Sequence, residues 1–281
     1  MKSTKLLAKS TRSSKTLIGI VVAFLFMLPI AWVFSNSLRP GSETFTWLDP
    51  LSWKTFFPDN PNFDNYFALV DTSLGQGIAN SLWTTFLTLI FGLTLCAGAA
   101  FALAALEYRG RQLLFSLVIF SLLIPFDAIA IPLASIFKDL GLQDTVAGLI
   151  LPGVANGMAI FLLRTFFLGI PKELVEASRI DGLGWFGVFF RIYLPLSKPA
   201  LVGASLVLFL FQWHAYIWPL LIGTGDNTLL GPIALANMKS QYAVDYGMLF
   251  AGAILLSVVP LVMILAGQKY FIQSSATSGI K

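Results

Sequence analysis

The stretch EASRIDGLGWFGVFFRIYLP, residues 176–195, lies between two of the most apolar runs of the chain, 146–168 and 199–222. Its first half is charged and helix-forming, its second half is rich in aromatic residues, and it carries no recognisable catalytic group. The flanking runs decide the fold class, because each is long enough to cross about 30 Å of hydrocarbon as a helix.

The composition of the whole chain also indicates a membrane protein. Of the 281 residues, 57% are hydrophobic and 11% are charged, and the mean hydropathy is +0.80, whereas soluble domains carry about 25% charged residues. The alternation typical of a membrane β-barrel is absent. We therefore expect an all-α membrane protein with six transmembrane helices at 17–38, 78–106, 113–135, 146–168, 199–222 and 246–270. The first run is longer than a signal-peptide core and lacks a small-x-small cleavage site, which favours a retained span.

Lysine and arginine predict the orientation, because cytoplasmic segments of membrane proteins carry an excess of both. With the N-terminus inside, only four of the 18 lie outside, namely Arg39, Lys54, Lys138 and Lys239. Both termini are therefore predicted to face the cytoplasm, and so is the stretch 176–195. The chain then divides into a basic cytoplasmic tail (1–16), a six-helix membrane domain (17–270) and a cytoplasmic C-terminal tail (271–281).

The cytoplasmic segment between spans four and five predicts a short helix that needs a partner. Pro171 suits a first helical turn, Glu173 complements the helix dipole, and Gly182 can supply the left-handed conformation that ends a helix. A helix of this length is marginal alone in water. It could lie on the membrane surface, but its charges are of both signs, which favours a protein partner over an anionic bilayer.

The motif in this segment resembles the EAA signature of bacterial ATP-binding-cassette (ABC) importer permeases. It reads Glu176-Ala177-Ser178, three residues, Gly182, nine residues, then Ile192-x-Leu194-Pro195. The one departure is Ser178, which occupies the position where the usual pattern has its second alanine. Further stretches are similar to the carbohydrate uptake subfamily, the maltose- and glycerol-phosphate-type systems: SNSLRPGSE, FDNYF, NSL, IPLASIFKDLGLQDTVAGLILP, WPLLI and QKYFIQSSATSGIK.

The resemblance implies a non-enzymatic permease subunit of the bacterial inner membrane. In that family a cytoplasmic coupling helix is seated in a cleft of a separate ATPase, and residues 171–195, called the coupling segment below, would play this role. The coupling residues would be Glu176, Ala177, Ser178, Asp181, Gly182, Ile192, Leu194 and Pro195.

The same resemblance implies the partners and the cofactors. The partners would be a second, non-identical permease, two ATPase subunits and an extracytoplasmic substrate-binding protein, which the segment 223–245 would probe. The C-terminal SATSGIK resembles a family tail that reaches into the ATPase dimer. ATP and Mg²⁺ would bind the ATPase and no cofactor would bind this chain, whose sequence lacks a phosphate-binding loop.

Polar side chains inside predicted spans are candidates for the solute pathway, because such groups usually face a bundle interior or a cavity. On straight helices Asp127, His214 and Asn156 would lie about 21, 22 and 18 Å from the cytoplasmic ends of their spans. Gln212, Trp213, Tyr216 and Trp218 cluster with His214. Sugars suit aromatic faces flanked by amides and carboxylates. Helix packing and interfacial anchoring explain the same residues, so both interpretations stay open.

Three other functions are weighed against a sugar permease. A secondary transporter usually shows inverted repeats, and a membrane hydrolase needs a catalytic motif; the sequence shows neither. An ABC permease for a non-sugar solute (an amino acid, a peptide or a glycerophosphodiester) remains the alternative, because the coupling motif carries no information about the solute.

Overall fold

The described part of the chain folds as α-helices, joined by turns and, between Ser37 and Asp64, by a longer segment. The computed structural model describes residues 2–223, 225–239 and 244–277, with side chains described between 15 and 268. Over these residues there is no β-strand. Two short 3₁₀ turns follow the first helix, and a five-residue π-helical segment, Phe189–Tyr193, follows α9. The α-helices are α1 Lys2–Ser37, α2 Asp64–Val70, α3 Ser73–Ala105, α4 Arg111–Leu123, α5 Phe126–Asp139, α6 Val146–Val154, α7 Gly157–Phe167, α8 Lys172–Ile180, α9 Trp185–Val188, α10 Leu194–Leu196, α11 Lys198–Trp213, α12 Ile217–Ile222, α13 Gly231–Asn237 and α14 Tyr246–Thr277.

Three helices are long and apolar enough to cross a membrane alone. They contain the windows Lys15–Ser37, Ser73–Ala105 and Tyr246–Gln268. A helix of 23 residues, the shortest of these, is about 35 Å long. These windows agree with the predicted spans 17–38, 78–106 and 246–270.

The other three predicted spans are not single straight helices, and this part of the prediction was wrong. The run 113–135 is divided between α4 and α5, which meet at 103°. The cause is Pro125, since a proline forces the residue before it out of the helical region, and Ile124 is extended with ψ 113°. The run 146–168 is divided between α6 and α7 with a bend of 40°, and the run 199–222 is interrupted between Trp213 and Ile217.

The chain divides into two compact units. The first comprises Met1–Thr72 with Asn237–Leu255. Within it the Asn65 amide donates to the carbonyls of Ser37 and Arg39, at 2.9 and 2.8 Å. The Arg39 guanidinium is buried and donates to Ser35 Oγ at 3.0 Å and to the Lys54 carbonyl at 2.7 Å. Burial lowers the pKa of Arg39, and nearby carboxylates partly oppose that shift.

The second unit, Ser73–Ala236 with Leu256–Lys281, contains the main core. Small residues of α3, α7 and α11 meet there, including Ala100, Ala159 and Ala204, which are fully buried. Small side chains let membrane helices approach closely and gain dispersion contacts. Cys96 lies in the same core and its thiol donates to the Val154 carbonyl at 3.4 Å, so it acts as a packing residue.

Candidate functional site

Helix α8 of the coupling segment is short and closed at its C-terminal end. It begins at Lys172. Pro171, which was predicted to lie in the first turn, is instead the N-cap, one residue earlier. Gly182 has φ +87°, which confirms its predicted left-handed conformation. Its N–H donates to the Arg179 carbonyl at 3.1 Å, and the N–H of Leu183 donates to the Ser178 carbonyl at 3.0 Å. This pair of bonds is a Schellman motif, which satisfies two otherwise unpaired carbonyls of the last turn.

The predicted coupling residues divide into an outer and an inner set. Ser178 is buried, and its hydroxyl donates to the Val175 carbonyl at 2.7 Å. Ile192 and Leu194 are half-buried and pack against the main core. The exposed members are Glu176, Ala177, Asp181, Gly182 and Pro195. Among the side chains that the structure describes, Glu176 has no salt-bridge partner, so its carboxylate is available to another protein.

The second half of the coupling segment is fixed to the core by aromatic contacts. Tyr193 is buried and meets Phe101 and Phe167 edge-on, with ring centroids 4.9 and 5.2 Å apart. The Arg179 guanidinium lies 4.8 Å from the Trp185 ring centroid and joins the two halves of the segment. At Ser197 the chain then turns by 84° into α11. The exposed half of the segment is therefore connected to α11 through packed side chains.

The turn between α3 and α4 also borders the coupling segment, which the sequence analysis did not predict. A pocket of about 680 Å³ is lined by Tyr108 and Arg111 from this part of the chain and by Lys172, Glu176 and Trp185 from the coupling segment. The charged run EYRGR between two apolar runs was the available signal.

A second pocket is lined by α5, α6, α11 and α12. It is called the polar pocket below, after the four polar side chains in its lining. Its volume is about 460 Å³. It brings together four of the six predicted pathway residues, Asp127, Gln212, His214 and Tyr216. It also contains Trp218, which the sequence grouped with His214, and two aromatic residues that were not predicted, Phe126 and Phe211.

The breaks in the helices form this pocket. Asp127 lies in the first turn of α5, immediately after the bend at Pro125, where its charge complements the helix dipole. His214 is the C-cap of α11, and Tyr216 is the N-cap of α12. Asp127, His214 and Tyr216 are exposed, whereas Gln212 is buried. The predicted depth of Asp127 assumed a straight helix, whereas α4 and α5 meet at 103° just before this residue.

The remaining two pathway candidates have structural partners. The Asn156 side chain caps α7 by accepting from the Ala159 N–H at 3.0 Å. The Trp213 indole N–H donates to the Leu256 carbonyl at 3.1 Å, and its ring stacks on Phe209. Neither residue lines the polar pocket.

The segment 223–245, which was predicted to probe a binding protein, contains a helix in its described part. Residues 224 and 240–243 of this segment lie outside the described residues. This helix is α13, whose Gly231 N–H donates to Ser81 Oγ at 2.9 Å. The Asn80 amide donates to the carbonyls of Asp226 and Leu229, at 3.1 and 2.9 Å. The segment is thus attached to the first turns of α3.

Comparison with known proteins identifies the family. Residues 95–271 match the family described as the inner membrane component of binding-protein-dependent transport systems. The chain belongs to this family. It is thus a permease component of the bacterial inner membrane, as the EAA-like motif and the apolar spans predicted.

The family's curated members include similar proteins over almost the full chain. The arabino-oligosaccharide transport permease AraQ of Halalkalibacterium halodurans is 32% identical over 92% of this chain and 93% of its own length. The trehalose transport permease SugB of Mycobacterium tuberculosis is 32% identical over 91% and 92%. The sn-glycerol-3-phosphate transport permease UgpE of Brucella melitensis is 31% identical over 93% and 96%.

A solved structure shows the same fold. A chain of a bacterial ABC transporter for import of the acidic polysaccharide alginate superposes with a TM-score of 0.76 at 23% identity. The match covers 92% of this chain and 98% of that chain. The permease fold of the family is therefore the fold of this chain.

Proposed function

We propose that this chain is a permease subunit of an ABC importer that moves a sugar or sugar-like solute and couples its passage to ATP hydrolysis by a separate subunit. The observation that carries the proposal is the coupling segment. Helix α8 is short and ends in a left-handed glycine. Its Glu176 carboxylate is exposed and has no salt-bridge partner among the described side chains, and its inner face packs against the core. Such a helix can transmit force but has no chemistry of its own.

Each part of the coupling segment has a mechanical task. Glu176 and Asp181 are the charged anchors for the ATPase, and charge-assisted hydrogen bonds to a basic residue there would hold the helix. Gly182 permits the sharp turn between the two halves. Val175, Ile192 and Leu194 pack against the core and fix the segment to it, so that closure of the ATPase dimer on ATP and Mg²⁺ displaces α11.

Six spans with both termini in the cytoplasm are the topology that goes with this function. Three single helices and the bent pairs α4–α5 and α6–α7 would supply five spans. The run 199–222, which α11 and α12 share, would supply the sixth. The positive-inside rule supports the orientation. Under this topology the coupling segment lies in the cytoplasm and α13 lies outside.

Further subunits complete the transporter in this proposal. In the candidate span Lys15–Ser37, none of the apolar window is buried within the chain, and Phe26 is 75% exposed. An exposed apolar helix needs lipid or another subunit as its neighbour. A second, non-identical permease, two ATPase subunits and an extracytoplasmic binding protein would form the complete importer.

Photo-crosslinking tests this coupling. A photoreactive amino acid at position 176 is expected to capture an ATPase subunit from membranes of the native host, and the yield should change with ATP. The matched control is position 53, where Trp53 is also exposed but is predicted to lie outside. Capture of no ATPase at 176, or full-rate solute uptake in a strain without the ATPase, would contradict the proposal.

The alternative is an ABC permease for a solute that is not a sugar. The similarity to an sn-glycerol-3-phosphate permease favours this second candidate. The solute that stimulates ATP hydrolysis of the purified complex with its binding protein distinguishes the two.

A further inference from the structure

The polar pocket has an unusual balance of charge for a site inside a membrane protein. Asp127 is its single carboxylate, and no lysine or arginine is found among the described residues that line it. The one basic side chain in the lining is His214. A carboxylate without a fixed cation nearby repels a second negative charge at short range.

The pocket also has a hydrogen-bond donor without an acceptor. Gln212 is 2% exposed, and its Nε2 has no hydrogen-bond partner in the described structure. Buried polar atoms in native proteins almost always have partners. Because Gln212 lines the pocket, its amide is the group with which a polar ligand atom would pair.

Aromatic rings complete the lining. Phe126 meets Trp218 and Phe211 edge-on, with ring centroids 5.8 and 5.4 Å apart. The Trp218 indole N–H already donates to the Gly148 carbonyl at 3.0 Å, which fixes its ring in position. Rigid aromatic faces suit the C–H faces of a sugar ring.

We propose that the polar pocket binds a neutral saccharide unit and rejects anionic solutes, with Asp127 as the residue that determines this specificity. The proposal rests on the proposed function, because it names the solute class of the same pathway. Gln212 Nε2 donates to a sugar hydroxyl oxygen, and the Asp127 carboxylate accepts from a sugar hydroxyl. The phosphate group of a sugar phosphate and the carboxylate group of a uronate offer acceptors only, and each brings a negative charge close to Asp127.

The solutes named for similar proteins fall into two groups by charge. Trehalose and arabino-oligosaccharides are neutral, whereas sn-glycerol 3-phosphate and alginate are anionic. This chain belongs with the first group.

Equilibrium dialysis of the membrane complex in lipid nanodiscs tests the inference. The sample contains the permease and ATPase subunits. The binding protein is left out, because its own specificity would mask that of the pocket. The probes are trehalose, an arabinotriose, sn-glycerol 3-phosphate and an alginate trisaccharide. We expect the neutral probes to bind at least about tenfold more tightly than the anionic ones. Asp127→Asn should improve binding of the anionic probes about fivefold and leave the neutral ones within about twofold, and Gln212→Leu should weaken the neutral probes about fivefold.

Matched controls separate the pocket from general effects. Asp139→Asn changes an exposed carboxylate on the same helix, α5, and Gln112→Leu changes an exposed glutamine on α4; neither should alter binding. Equal binding of neutral and anionic probes, an unchanged difference in Asp127→Asn, or no binding of any probe would overturn the inference. Co-purification of an ATPase reports on the proposed function separately, and if none is found, dialysis of this chain alone still tests the pocket.

Discussion

Gly182 shows how one residue can fix the shape of the coupling segment. Its φ of +87° is a conformation that a residue with a Cβ adopts at a cost of about 1–2 kcal/mol. We expect Gly182→Ala to open the C-terminal end of α8 and to reduce the solute transported per ATP hydrolysed in proteoliposomes. Coupling falls because the helix no longer holds a single orientation.

The control for this substitution lies two residues away. Gly184 has φ −71°, and a Cβ added there would meet nothing within 4 Å. Gly184→Ala should therefore leave coupling and thermal unfolding of the complex unchanged. Equal coupling in the two variants would show that the left-handed turn does not matter for function.

The start of α7 depends on one side chain. Asn156 is the N-cap of this helix, just after the bend from α6. Replacing an N-cap asparagine with alanine costs about 1 kcal/mol, whereas serine retains the acceptor. We expect Asn156→Ala to lower the thermal unfolding temperature of the complex, and Asn156→Ser to remain close to the unmodified protein. Loss of solute binding in Asn156→Ser at normal stability would instead return Asn156 to the pathway.

At the scale of the whole molecule, the proposed topology predicts which side of the membrane each turn faces. Cysteines introduced for Arg109 and Asp226, both exposed, should lie inside and outside respectively. A membrane-impermeant maleimide should label position 226 in intact spheroplasts, and position 109 only after permeabilisation. The native Cys96 is fully buried, so the unmodified chain should remain unlabelled. Labelling of position 109 in intact cells would reverse the orientation.

The sequence predicted those elements that depend on local patterns. Apolar runs located the three long helices, since transfer into lipid depends on the composition of about 20 neighbouring residues. Gly182 was found for a similar reason, because a helix that needs a left-handed end favours glycine. Pro125 and Pro152 were equally visible, but the same proline can bend a membrane helix sharply or hardly at all, depending on its neighbours.

By itself, the sequence determined that this protein is a helical membrane permease with a short charged segment between two apolar runs. Only the tertiary structure decided which polar residues meet. Asp127, Gln212 and His214 line one pocket, whereas Asn156 caps a helix and Trp213 packs between helices. Hydropathy measures how readily a segment enters the bilayer and carries no direction around the helix axis. Residues distant in the chain converge only after the bends and the close packing of small side chains in α3, α7 and α11 have placed their helices.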